Sequence, residues 1–153
     1  MARTTMRTAG IWVENNYVLL ESLADAQVWG IPGGGLEADG SVAEGCLREY
    51  REELGLEMRT DGLALINENF WPAGGEAVRE YCFYFWVRPK VESSRGQIDV
   101  QSREEQLQFR WFRLDDLQNI DFVPQFLPEV LPGLGKQTRF LSTSEMGASL
   151  HGG

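Results

Sequence analysis

A glycine run followed by a dense acidic segment constrains this chain more than any other feature. Residues 33–56 read GGGLEADGSVAEGCLREYREELGL, and Glu49, Glu52 and Glu53 lie within five positions of one another. Like charges four residues apart destabilise an isolated helix by about 0.2–0.5 kcal/mol. The grouping of these acids directly behind three glycines therefore needs a physical reason.

Local sequence signals mark both ends of a helix that contains these acids. Ser41 and Glu44 fit a capping box, in which each side chain accepts a hydrogen bond from exposed backbone amides. Gly55 fits the left-handed position that follows a helix, so the spacing predicts a helix over about 42–54. At 100° per residue the three glutamates share one side, with Arg48 at its edge. The opposite arc is the predicted buried face, comprising Ala43, Cys46, Leu47, Tyr50 and Leu54.

The acidic side has two interpretations from the helix alone. It is a solvated charged face, supported by the pairs Glu44–Arg48 and Arg48–Glu52 at helical spacing. Alternatively, it lies against the IPGGG loop, whose glycines let backbone carbonyls approach a ligand closely. Carboxylates together with a carbonyl form a hard oxygen site suited to Mg²⁺ or Mn²⁺. Such an ion would relieve the repulsion between the acids and activate a water molecule.

Composition and charge limit the other classes of function. The 153 residues suffice for one domain, and the net charge of −9 argues against binding nucleic-acid backbones or anionic membranes. No apolar run is long enough to span a bilayer and the N-terminus makes a poor signal peptide, so a cytoplasmic location is expected. The single histidine, His151, disfavours a catalytic triad or histidine zinc site, and Cys46 and Cys82 are predicted to be core residues.

The order of elements predicts an α/β arrangement with a mixed sheet. Asn15-Asn16 separates two apolar segments as a hairpin turn would. Further strands are predicted at 62–70, 79–89 and 107–113, with a loop over the segment FWPAGGEAVRE at 70–80 and a short helix near 123–132. The polar, small residues from 135 to 153 predict a loose tail.

The glycine–helix segment resembles the Nudix box. Gly34 takes the first position of that pattern, and REYREELGL, residues 48–56, fills every position of its second half. The resemblance extends over about residues 7–131. One position departs from the pattern, because the slot for the first glutamate holds Gly40. The resemblance implies altered turn geometry there rather than lost catalysis.

This resemblance implies a Nudix-type α/β/α sandwich in one domain, 1–134, followed by a flexible tail at 135–153. It implies a metal-dependent hydrolase in which water attacks phosphorus in a nucleoside diphosphate derivative, with Mg²⁺ or Mn²⁺ as the cofactor. The implied metal ligands are Glu52, Glu53, Glu49 and the Gly34 carbonyl. The implied catalytic residues are Glu52, Glu49, Arg48 and Glu105. Members of the family are commonly dimers, so a homodimer is compatible with it.

Individual roles are less fixed than the ligand set. Arg48 would orient the acids through charge-assisted hydrogen bonds. Glu105 is a candidate general base or extra ligand, with Glu104 as its alternative and Glu52 as the other contender for the base.

The aromatic segment that follows the helix indicates the class of substrate. NENFW followed by REYCFYF resembles members acting on ADP-ribose or related compounds. The candidate substrate-binding residues are Phe70, Trp71, Glu80 and Arg79. The alternative is that the two aromatic side chains belong to the core or anchor a loop, and that Glu80 and Arg79 are surface charges.

Two other functions remain open at this stage. The first keeps the chemistry and changes the substrate to a nucleoside triphosphate, a dinucleoside polyphosphate or a capped RNA end; the net charge weighs against long RNA. The second is a non-catalytic nucleotide sensor on the same fold. Gly40 favours the sensor, whereas the complete REYREE segment weighs against it.

Overall fold

The computed structural model describes residues 3–23, 26–37, 39–91 and 106–146 of the chain. Two helices are present among them, α1 (Val42–Leu54) and α2 (Leu127–Val130), with 3-10 turns at Leu114–Asn119 and Leu131–Gly133. The strands are β1 (Arg3–Ile11), β2 (Val13–Glu14), β3 (Tyr17–Leu23), β4 (Val28–Trp29), β5 (Gly33–Gly35), β6 (Met58–Ala73), β7 (Glu76–Pro89), β8 (Leu107–Arg113), β9 (Asp121–Phe122) and β10 (Arg139–Ser144).

A five-stranded mixed sheet, in the order β10-β6-β7-β1-β5, forms the centre of the fold. β1 runs parallel to β7 and β10 parallel to β6, whereas β6–β7 and β1–β5 are antiparallel. A smaller sheet, β2-β3-β8, lies beside it. The mixed sheet predicted from the sequence is therefore present.

Two apolar cores cover the two faces of the large sheet. On one face α1 packs its buried Cys46, Tyr50 and Leu54 against strand residues that include Phe85. On the other face, Leu127 of α2 and its neighbours pack against a second set of strand residues, Ala9, Ile11, Leu65, Cys82 and Tyr84. This gives the α/β/α layering, although the layer containing α2 is built mostly from short turns.

The caps predicted for α1 are both formed. The Ser41 hydroxyl accepts from the Glu44 N–H, and the Glu44 side chain accepts from the Ser41 N–H. Gly55 is left-handed, with φ 68°, as a helix-ending residue must be. The predicted apolar arc faces the sheet, and the Tyr50 hydroxyl donates to the Gly10 carbonyl at 2.7 Å. Helix α1 is thus fixed at both ends and along its length.

The Asn15-Asn16 hairpin is also formed. Both residues have positive φ, 53° and 68°, which a tight two-residue turn requires. The turn joins β2 to β3, and β3 in turn pairs with β8. The hairpin thereby positions β3 so that Glu21 accepts a hydrogen bond from Gly33 of β5.

Two predictions about loops are wrong. Residues 70–80 are mostly strand, because β6 and β7 continue as one long hairpin whose turn is only Gly74-Gly75. The chain after 135 is not wholly loose either, because Arg139–Ser144 pairs with β6. Small polar residues are tolerated in β10 because it is an edge strand. It is held by main-chain pairing with β6 and by hydrogen bonds to buried side chains of β6. Residues 147–153 lie outside the described residues.

Among the residues that the structure describes, no helix is long and apolar enough to cross a membrane.

Candidate functional site

The glycine strand β5 brings its backbone against the acidic side of α1. A Cβ placed on Gly34 would lie 2.5 Å from Glu49 Oε1, which is closer than real Cβ atoms approach. A Cβ on Gly33 would lie 2.3 Å from the Thr8 carbonyl oxygen of β1. Glycine at these two positions is therefore needed for the close approach of β5 to α1 and to β1. The Glu49 carboxylate lies directly beside Gly34.

Glu53 lies deeper in the same cluster, with only 9% of its surface exposed. Burial raises the pKa of its carboxyl, and the negative charge of Glu21 and hydrogen bonding with Glu49 raise that pKa further. Burial also disfavours the ionised form of any carboxylate that lacks a compensating cation. In the absence of a cation this arrangement favours a protonated Glu53.

Glu21 is a member of the cluster that the sequence analysis did not identify. It lies on β3, and one of its carboxylate oxygens, Oε1, accepts from the Gly33 N–H at 3.2 Å. Its other oxygen, Oε2, is buried and has no hydrogen-bond partner among the described residues. Burial raises the pKa of Glu21, and the hydrogen bond from the Gly33 N–H, the interaction with Glu53 and the charge of Arg7 oppose that rise. The available signal was an acid inside the otherwise apolar strand YVLLESL.

Glu52 points away from this buried cluster. Its side chain is 57% exposed and lies 3.9 Å from Arg48 Nε, while Arg48 Nη2 lies 3.7 Å from Glu37. Of the two pairs predicted for the helix surface, the structure contains Arg48–Glu52, whereas the Glu44 carboxylate is used in the helix cap. Arg48 thus links Glu52 to the loop that precedes the helix, not to Glu49 or Glu53.

The residues present fit a hard divalent cation chemically, but they do not form a ready-made cage. Within the described ranges, no three His, Cys, Asp or Glu side chains are arranged to hold a metal ion. The buried Oε2 of Glu21 nevertheless lacks a partner, and a Cβ at Gly34 would fill the space beside Glu49. Oxygen donors of this kind suit Mg²⁺ and Mn²⁺. Cation binding would require loss of the Glu53 proton and an inward turn of Glu52.

The turn before α1 adopts a conformation that suits the departure from the Nudix pattern. Gly40 has φ 94°, a region that residues with a side chain rarely adopt. Its position beside the cap makes glycine a conformational requirement of this turn. Whether this turn differs from that of family members with glutamate at the same position stays a prediction.

A cavity of about 540 Å³ opens on the face of the large sheet opposite α1. Trp71 and Glu80 contribute to its lining, and Glu80 accepts from the Thr5 hydroxyl at 3.1 Å. Arg7 also lines it, since its Cα is paired with Cys82 on one side and Gly35 on the other. Arg7 is also close enough to Glu21 of the acidic cluster for its charge to lower the pKa of that carboxyl.

The four predicted substrate-binding residues do not come together. Phe70 and Arg79 are directly paired across β6 and β7, on the sheet face opposite to Trp71 and Glu80. There the Arg79 guanidinium lies 5.2 Å from the Phe70 ring centroid and 3.7 Å from the Glu68 carboxylate. The structure thus leaves Trp71 and Glu80 as candidates at the cavity. Glu104 and Glu105 lie outside the described residues.

The class of this protein follows from one arrangement. A capped helix packs its glutamates against a glycine-rich strand at the edge of a mixed sheet. The NUDIX domain model matches residues 4–134. The chain belongs to the Nudix family, and the family predicted from its sequence is confirmed.

Individual relatives agree with this assignment. An uncharacterised Nudix hydrolase of Bacillus subtilis, YvcI, is 32% identical over 96 residues, which cover 63% of this chain and 58% of that protein. The match therefore spans less than two thirds of the relative's length. The MutT protein of Bacillus halodurans has a TM-score of 0.63 at 19% identity, covering 91% of this chain and 90% of that one. An ADP-ribose pyrophosphatase of Streptococcus suis has a TM-score of 0.56 at 19% identity, covering 89% and 98%. At these identities the two structures show a shared fold.

Proposed function

We propose that this protein is a divalent-metal-dependent pyrophosphohydrolase that cleaves the phosphoanhydride of a nucleoside diphosphate derivative by attack of water on phosphorus. The single observation that carries the proposal is the contact of the Glu49 carboxylate with Gly34, beside the buried Glu53 and the half-buried Glu21. Buried acids this close repel one another and favour a cation between them. Membership of the Nudix family supports the same chemistry.

Glu49, Glu52, Glu53 and the Gly34 carbonyl would hold Mg²⁺ or Mn²⁺, with Glu21 supplying a further oxygen at the buried side. A bound cation of this kind polarises phosphate oxygens and lowers the pKa of a bound water. The remaining steps belong to the chain's own residues. Arg48 pairs with the exposed Glu52, and an inward turn of Glu52 would bring its carboxylate to the cation.

Arg7 is placed to bind the phosphate groups. It lines the cavity and lies close enough to Glu21 to influence the pKa of that carboxyl. A guanidinium at this position would neutralise phosphate charge and fix its orientation by paired hydrogen bonds. For the proton on the attacking water, the chain offers Glu52 and, outside the described residues, Glu105 as candidate general bases.

The cavity supports an ADP-ribose-like substrate or a related nucleotide. Trp71 offers an aromatic face on which a base can stack, and stacking of this kind tolerates different bases. Glu80 offers hydrogen-bond acceptors. The Streptococcus suis neighbour named as an ADP-ribose pyrophosphatase shares this fold. Nucleoside triphosphates and dinucleoside polyphosphates are the alternative substrate class.

A nucleotide sensor without catalysis is the second candidate function. Gly40 in place of the box glutamate favours it. The complete acidic set of α1 favours hydrolysis, because a binding protein needs fewer carboxylates next to an anionic ligand.

One assay separates these candidates. The protein is incubated with Mg²⁺ and ADP-ribose, NADH, dinucleoside polyphosphates or nucleoside triphosphates, and phosphate is measured after phosphatase coupling. The expected result is turnover of at least one compound, abolished by EDTA and reduced by orders of magnitude in Glu52→Gln. Glu57→Gln is the matched control, since Glu57 pairs with Arg51 on the exposed surface. Binding without turnover across the panel would support the sensor, and full activity in Glu52→Gln would refute the metal site.

Two expectations from the sequence stay as predictions alongside this function. The cytoplasmic location is checked by cell fractionation. The homodimer is checked by the molar mass in solution, against the 17.3 kDa of one chain.

A further inference from the structure

Strand β10 and the residue that follows it, Glu145, lie beyond the segment that matches the NUDIX domain, yet Glu145 lines the cavity. The match ends at residue 134, and β10 begins at Arg139. β10 runs parallel to β6 with Leu141 opposite Asn67 and Thr143 opposite Asn69. Just after the strand, the Glu145 N–H donates to the Phe70 carbonyl at 2.7 Å, and the Glu145 side chain contributes to the cavity lining.

A chain of side-chain hydrogen bonds holds this carboxylate in place. Asn67, which is 2% exposed, donates from Nδ2 to the Leu141 carbonyl at 3.1 Å and to the Thr143 hydroxyl at 3.0 Å. The Thr143 hydroxyl donates to Asn69 Oδ1 at 2.7 Å, and Asn69 Nδ2 donates to Glu145 Oε2 at 2.5 Å. Each bond fixes the orientation of the next amide or hydroxyl. The relay therefore ends with a positioned carboxylate, not with a freely rotating surface acid.

The geometry of the cavity separates two kinds of polar group. Glu80 and Asn69 are directly opposite each other on β7 and β6, so Glu80 lies at the same end as Glu145. Arg7 is opposite Cys82, two residues further along β7, which corresponds to about 7 Å. Phosphate groups are attracted to the Arg7 end, next to the acidic cluster. Hydrogen-bond donors are attracted to the Glu80 and Glu145 end.

A carboxylate can accept about four hydrogen bonds, and Asn69 supplies one to Glu145. The remaining capacity suits two donors presented side by side, because two parallel bonds to the two oxygens give both strength and orientation. A nucleoside offers such paired donors in two places. These are the adjacent N–H groups on the pairing edge of guanine and the neighbouring hydroxyls of a ribose.

We propose that Glu145, held by the Asn67–Thr143–Asn69 relay, is a specificity-determining residue that accepts hydrogen bonds from paired donors on the nucleoside part of the substrate. The proposal rests on the proposed function, because it places the nucleoside in the cavity beside the hydrolytic site. It assigns substrate selection to a residue that the NUDIX match does not include.

Binding of nucleoside monophosphates tests this proposal without hydrolysis, because they contain no phosphoanhydride. Dissociation constants for GMP, AMP and 2′-deoxy-GMP are measured by calorimetry with Mg²⁺ present. Preference for GMP over AMP identifies the base edge as the donor pair, and preference for GMP over 2′-deoxy-GMP identifies the ribose hydroxyls. The wild-type protein is expected to show one of these preferences at about tenfold or more, and Glu145→Gln is expected to lose it.

Ser142→Ala is the matched control, because Ser142 is on the same strand and its hydroxyl donates to Glu68 at 2.9 Å on the other face. Glu145→Ala is a second variant that keeps the main-chain bond to Phe70. The proposal is overturned if wild type shows neither preference, or if both Glu145 variants keep it. A hydrolysis panel without turnover, combined with a preference lost in Glu145→Gln, would reject the proposed function and support this role.

Discussion

The carboxylate of Glu49 occupies the space in which a side chain on Gly34 would begin. A Cβ at residue 34 would lie 2.5 Å from Glu49 Oε1 and 2.7 Å from its carboxyl carbon. The glycine is therefore not needed there for an unusual backbone conformation but for the room that its missing side chain leaves. This contact joins the glycine strand to the acidic helix and positions one carboxylate of the proposed cation site.

Gly34→Ala is expected to reduce hydrolysis while leaving the fold nearly as stable. The new methyl group meets the flexible end of the Glu49 side chain, which can turn away at little cost, but the carboxylate then leaves its position. Displacement of a group that supports a metal site typically lowers affinity or activity by about 10–100-fold. The measurements are kcat/KM with Mg²⁺ and the melting temperature.

Gly35→Ala is the matched control, because a Cβ at residue 35 would meet nothing within 4 Å. It should keep both activity and stability. Equal activity in Gly34→Ala and wild type would show that the position of Glu49 is irrelevant to the reaction.

Tyr50→Phe is expected to destabilise the protein by about 1–3 kcal/mol, because it removes a donor from a buried carbonyl. Tyr50 is 1% exposed, and its hydroxyl donates to Gly10 at 2.7 Å, which ties α1 to β1. The free energy of unfolding is measured in urea. Tyr81→Phe is the comparison, since the Tyr81 hydroxyl donates to the carboxylate of Glu68 at a less buried position. Its free energy of unfolding is expected to change by no more than about 0.5 kcal/mol. Equal losses in the two variants would contradict the role given to Tyr50.

The stability of the metal-free protein is expected to fall as pH rises above the ordinary carboxyl pKa of 4.5. Burial raises the pKa of both Glu21 and Glu53, so the folded protein keeps protons that the unfolded chain has lost. Stability decreases with pH wherever the folded state binds more protons than the unfolded state. The contribution is thus fully present below pH 4.5 and is lost as pH rises through the raised values.

Urea unfolding in EDTA between pH 5 and pH 9 checks this dependence. Saturating Mg²⁺ is expected to reverse the loss at high pH, since a cation stabilises the ionised carboxylates and binds only the folded form. A stability that rises steadily with pH in EDTA would show that these two carboxyls are already ionised in the folded protein.

Local signals were sufficient to predict helix α1 and the Asn15-Asn16 hairpin. Ser41, Glu44 and Gly55 act on neighbouring backbone groups, so their effects are readable from spacing alone. The ligand candidates on α1 were readable for the same reason, because the helix repeat places them on one side. The acids of the site that lie on this helix could therefore be named before any tertiary contact was known.

Long-range pairing decided what the sequence did not reveal. Glu21 joins Glu53 only because β3 lies beside the glycine strand, and no local pattern reports that contact. β10 looks like a tail because its residues are small and polar, yet the side chains of Asn67 and Asn69 hold it to the sheet. The resemblance of NENFW to a segment of some family members makes both Phe70 and Trp71 candidates. Adjacent residues in a strand face opposite sides, so only Trp71 reaches the cavity.

The most direct test of the account compares Glu53→Gln with wild type at pH 8, measuring stability in EDTA, Mn²⁺ binding by electron paramagnetic resonance, and hydrolysis with Mg²⁺. Glutamine has the shape of the protonated carboxyl that burial favours, so the account predicts a metal-free protein at least as stable as wild type that loses both Mn²⁺ binding and turnover. A Glu53→Gln protein that binds Mn²⁺ and hydrolyses its substrate as wild type does would contradict the proposal that this acidic cluster holds the catalytic cation.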